Sequence, residues 1–110
     1  MADMELFEEL SGKTKLLDAA IRELGKRGEV YASAERDYRM KLAEKVLIER
    51  EKGTPVTIIS DICRGSKEIA LLRFKRDCAD IVYKSAFEAI NSYKLQIRIL
   101  DAQIEREWHG

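Results

Sequence analysis

Hydrophobic residues in the second half of the chain return every three or four positions: Ile69, Leu72, Ala79, Tyr83, Ala86, Ile90, Tyr93, Ile97, Leu100 and Ile104. At 100° per residue they share one face of a helix, and only Arg76 breaks the register. A second set, Phe74, Ile81, Leu95 and Ile99, falls roughly opposite on the same helix. A two-helix protein buries one of these faces within the chain and leaves the other for a further partner. The first half repeats the pattern from Lys13 to Lys52, through Leu17, Ala20, Ile21, Leu24, Tyr31, Ala34, Tyr38, Leu42 and Val46. Acid-first pairs four residues apart support it: Asp18–Arg22, Glu23–Arg27, Glu35–Arg39 and Asp37–Lys41. Gly25 and Gly28 each cost about 1 kcal/mol against alanine, so residues 25–28 mark where this helix can break.

Between the two patterns, Gly53-Thr-Pro-Val reads as a stop and a restart. Gly53 suits a left-handed cap, Thr54 an N-cap and Pro55 a first helical position. Val56, Thr57, Ile58 and Ile59 also favour strand, but the flanking signals predict a short helix within 54–65, closed by Gly65. Ser66 then caps the last helix, over 66–107. Residues 1–12 form a short acidic segment in which Leu6, Phe7 and Leu10 share a face. The helices over 13–52 and 66–107 match in length, at roughly 40 residues or 60 Å each. The expected fold is all-α: one domain, residues 1–110, built as an elongated antiparallel helical hairpin with coiled-coil-like packing and the short helix at its tip. Folding about residue 59 brings Glu35 near Tyr83, Leu24 near Lys94 and Leu10 near Trp108.

Charge is balanced overall and uneven along the chain. Twenty Lys and Arg offset twenty Asp and Glu. Residues 1–12 carry four acids and no base, residues 13–52 eleven bases against eight acids, and residues 66–110 eight bases against seven acids. A dedicated nucleic-acid domain is more basic than this. Two cysteines, Cys63 and Cys78, and one histidine, His109, supply too few ligands for a zinc site. The cysteines fit small packing residues in a reducing compartment. No apolar run reaches the roughly 18 residues of a membrane span, and the N-terminus is not signal-like. A soluble intracellular protein, with no membrane association, is the expectation.

Candidate chemistry is sparse. Tyr31, Tyr38, Tyr83 and Tyr93 fall on the inward stripes, where they either pack as core or line a polar groove near Glu35, Arg39 or Asn91. Asp77, Asp80 and Glu88, with Glu35, Asp37 and Glu44, lack the Glu-x-x-His pattern of helical metal sites and each has a base within four positions, so ion pairs are expected. Neither a phosphate-binding glycine loop nor a nucleophile–histidine arrangement is present in the sequence. No enzyme activity, cofactor or metal is therefore expected. The sharpest charge feature is residues 64–76, with Arg64, Lys67, Arg73, Lys75 and Arg76 against one acid. It has the outline of a helix-turn-helix, and the Ser66-capped helix start could accept a phosphate. Several positions that such a motif keeps apolar are here Ser60, Arg64 and Ser66, and its usual alanine is Asp61. Arg73 and Arg76 are equally suited to lie along the helices and pair with Asp77 and Asp80.

The stretches Tyr31-Ala-x-Ala-Glu-x-x-Tyr-Arg39, Gly53-x-Pro-Val-Thr57, Asp61-x-x-Arg-Gly65, Leu72-Arg-x-x-Arg-Asp77, Glu88-Ala-Ile-Asn91 and Gln103-Ile-x-Arg-Glu-Trp108 resemble small proteins encoded by phages and prophages of Gram-positive bacteria. The resemblance covers about residues 28–108 and implies a virus-encoded protein made in a bacterial host cell. It assigns no activity and no site residues. Three functions follow as expectations. The first is a non-enzymatic binding or adaptor protein. It self-associates as a homodimer or higher oligomer through Phe74, Ile81, Leu95 and Ile99, contacts a host or phage protein, and so inhibits a host defence or modulates phage DNA metabolism. The second is an accessory nucleic-acid binder using the five bases of 64–76. The third is a small-ligand (nucleotide) sponge with sites between subunits.

Overall fold

The computed structural model describes residues 2–109, with side chains from Met4 onward, and all three of its elements are α-helices. These are α1 (Ala2–Glu51), α2 (Val56–Gly65) and α3 (Lys67–His109). The fold is all-α, a hairpin of two long helices with a short one beside the turn. Two compact units divide the chain: Arg27–Val82, and the remainder up to Lys26 and from Tyr83 onward.

The acidic segment expected to stand apart is the start of α1, and α1 runs unbroken through residues 25–28. Gly25 is exposed, with open space where a Cβ would point. Its cost is therefore only conformational, too small to interrupt a helix fixed by packing on both sides.

In the Arg27–Val82 unit, Gly53 ends α1 at φ +82°. The Gly53 amide donates to the Arg50 carbonyl at 3.0 Å and the Thr54 amide to the Glu49 carbonyl at 3.1 Å. This is the paired geometry of a Schellman motif, which suits glycine because it lacks a Cβ. The Thr54 hydroxyl does not cap α2; it donates to the Glu49 carboxylate at 2.7 Å. That hydrogen bond, followed by the charge of Lys52, holds Glu49 below its usual carboxylate range. Pro55 occupies the N-cap of α2 rather than its first turn. Ile59 and Cys63 are the buried residues of α2, a spacing of four that fixes it as helix despite its β-branched start.

Pairing between the arms corrects the expected register. Lys41 meets Glu68 at 3.5 Å and Arg76 meets Glu35 at 3.4 Å, so the chain folds about residues 54–56, not 59. Glu35 accordingly faces Arg76 instead of Tyr83. The Gly53 cap (φ +82°) followed by extended Pro55 (φ −56°, ψ 133°) makes the reversal. Only Ser66 separates α2 from α3, in an extended conformation.

In the other unit Leu6, Leu100 and Ile104 form a buried cluster, with Leu10 packed against it. Leu10 meets this cluster, and Trp108 is exposed. All ten residues of the first stripe are buried or half-buried, and Arg76 shares that protection. On α1, Ile21 and Phe7 depart from the expected face and are exposed.

Candidate functional site

The polar chemistry described for the chain concentrates in Arg27–Val82. Arg39 and Arg76 both pair with Glu35, one to each carboxylate oxygen. The spacing of four on α1 brings Arg39 over Glu35, while Arg76 reaches it from α3. Arg76 also donates from Nη2 and Nε to Asp77, at 2.8 and 3.0 Å, and its guanidinium lies 4.6 Å from the centre of the Tyr38 ring. Tyr38 is buried. The break in the apolar stripe is thus filled by an arginine that stacks on an aromatic face. The Arg39 hydrogen bond, then the positive charge of Arg76, holds Glu35 below its ordinary carboxylate range.

Around this group lies an open cavity of about 330 Å³, lined by Glu35, Tyr38, Arg39, Leu42, Arg64, Arg73 and Arg76. Three of the five bases singled out in residues 64–76 meet here. The other two do not. On α3, Lys67 and Lys75 are turned about 120° and 160° from Arg73, and Lys75 lines a separate groove with Arg27, Val30, Cys78, Ala79 and Val82. Arg39 joins the group from α1; its only sequence signal was its position beside Glu35 and Tyr38 on the tyrosine-bearing face.

The helix-turn-helix outline does not survive. Such a motif needs a turn of three or four residues between its helices, and here a single residue intervenes. Ser66 stands at the N-cap of α3, where its carbonyl accepts from the Ala70 amide at 2.9 Å, but its hydroxyl donates to the Cys63 carbonyl at 2.7 Å and closes α2. The carboxylates read as ion pairs include Asp37 with Arg36 and Glu44 with Lys41. Lys41 turns to Glu44 and Glu68 rather than to Asp37. Among the described residues no group of three or more His, Cys, Asp or Glu side chains could hold a metal ion. No described helix is long and apolar enough to cross a membrane.

The second stripe is solvent-facing: Phe74 is 67% exposed, Ile81 64%, and Leu95 and Ile99 55% each. Within Arg27–Val82 the structure adds Val30, Met40 and Leu71, all more than half exposed, and Val82. Val30 and Val82 line one apolar groove, and Met40 and Leu72 line another with Lys41 and Glu68. These grooves and the arginine cavity lie on opposite sides of the α1–α3 seam, because Val30 and Met40 are turned far around α1 from Glu35 and Arg39. No protein-family model, curated protein or solved structure matches the chain.

Proposed function

We propose that this protein works without catalysis, as a binding protein that associates with itself and presents its remaining surface to another polypeptide. The observation that carries this reading is the imbalance between apolar groups covered and apolar groups left in water. Among the described residues nineteen large hydrophobic side chains are exposed, about twice the nine apolar residues that are buried. Covering Phe74, Ile81, Leu95 and Ile99 contributes on the order of 6–12 kcal/mol before the costs of association. The resemblance of residues 28–108 to phage-encoded proteins makes a bacterial or phage polypeptide the further partner to seek.

Sedimentation velocity over a wide concentration range tests the self-association. The wild type is expected to sediment as a dimer or larger species, and Ile81→Glu with Ile99→Glu to sediment as a monomer or lose helicity. Phe74→Ser, a milder change at an exposed position, should weaken the assembly while keeping the helical spectrum. A wild type that remains monomeric at every concentration, or a double variant that sediments like it, overturns the proposal.

A further inference from the structure

We propose that the cavity formed by Arg39, Arg64, Arg73 and Arg76 binds the phosphate group of a small phosphorylated molecule. This goes beyond self-association and rests on a different side of the Arg27–Val82 unit.

Four arginines from three helices line one cavity. Two carboxylates, Glu35 and Asp77, answer them, leaving a surplus of two positive charges. Arg64 and Arg73 form no ion pair with any described residue, so their planar donor forks remain available for the oxygens of a phosphate. Arg76 is differently placed. Its Nε and Nη2 are occupied by Asp77, and the Tyr38 ring beneath it fixes its position. It supplies a stationary positive charge at the cavity wall, with little ordering cost on binding. Glu35 already sits as an anion against Arg39 and Arg76, and its charge opposes a second anion in the same space.

The distribution of bases favours a compact anion over a nucleic-acid backbone. A strand neutralised by protein needs basic residues along a track of successive phosphates. Lys67 and Lys75 are turned away from the cavity, and Lys75 lies among Val30, Ala79 and Val82. The positive charge is thus gathered at one place.

Isothermal titration of the full chain with inorganic pyrophosphate and with adenosine monophosphate, at about 50 mM salt, tests the site. One of these probes is expected to bind saturably. Arg64→Ala with Arg73→Ala should weaken it by about tenfold or more, as loss of charged hydrogen bonds implies. Lys67→Ala with Lys75→Ala should leave it within about twofold, and Glu35→Gln should tighten it. Sedimentation and helicity of the arginine variant should match the wild type. Absence of binding by both probes at millimolar concentration overturns the proposal. So does equal loss in the lysine and arginine variants, which would mean diffuse charge attraction. A single-stranded oligonucleotide that binds far more tightly than either probe, and more tightly as it lengthens, would replace the pocket with a nucleic-acid track.

Discussion

The two units solve the same problem, holding one long helix against another, with different chemistry. Near the chain ends the contact is apolar: Leu6, Leu10, Leu100 and Ile104 cover one another. In Arg27–Val82 the residues Ala34, Tyr38, Ile59, Cys63 and Ile69 are buried, and in addition ion pairs reach across from α1 to α3 through Lys41–Glu68 and Glu35–Arg76. Apolar contact is insensitive to direction and specifies register weakly, whereas an arginine stacked on one tyrosine and paired with one glutamate fits a single alignment. The unit next to the turn therefore carries both the register of the hairpin and the surplus charge.

The largest expected effect comes from removing apolar bulk. Ile69 is fully buried, so Ile69→Ala should cost about 2–5 kcal/mol in chemical denaturation. Ile104→Ala should cost toward the lower end of that range, because its cluster is small. Hydrogen exchange separates the two units: Ile104→Ala is expected to accelerate exchange at the start of α1 and the end of α3, sparing residues 27–82. Uniform acceleration would show that the units open together and would break the comparison. Next come the glycines. Gly53→Ala puts a Cβ at φ +82° and should cost about 1–2 kcal/mol. Gly25→Ala should instead stabilise by about 0.5–1 kcal/mol, since α1 is helical there and the space is open. Both are read from melting curves at fixed protein concentration.

The smallest effect is in acid. Glu35 titrates below its ordinary value, so its contribution is fully present above a glutamate's usual pKa of about 4.3 and fades as pH falls through its lowered pKa. Protonation then leaves Arg39 and Arg76 without their shared partner. Glu35→Gln should flatten this part of the stability profile below pH ~4.5 and leave the exchange pattern of the apolar unit unchanged. An unaltered profile would mean that other carboxylates dominate the acid response.

Periodicity alone determined the helical class, the buried stripe of α3 from Ile69 to Ile104, the exposed set of Phe74, Ile81, Leu95 and Ile99, and the glycine stop at Gly53. Each is a local property: a 100° step assigns a side chain to a face, and a single glycine suits a left-handed cap. Tertiary structure decided what depends on residues far apart in the chain. It carried α1 through Gly25 and Gly28, where helix–helix packing outweighs a small conformational cost. It moved the fold point to residues 54–56, because register follows from pairs such as Lys41–Glu68 and equal helix lengths do not specify it. It separated Arg64, Arg73 and Arg76 from Lys67 and Lys75 and joined them to Arg39. Residues adjacent in sequence diverge around a helix by 100° per step, and only the partner helix determines which of them share a cavity.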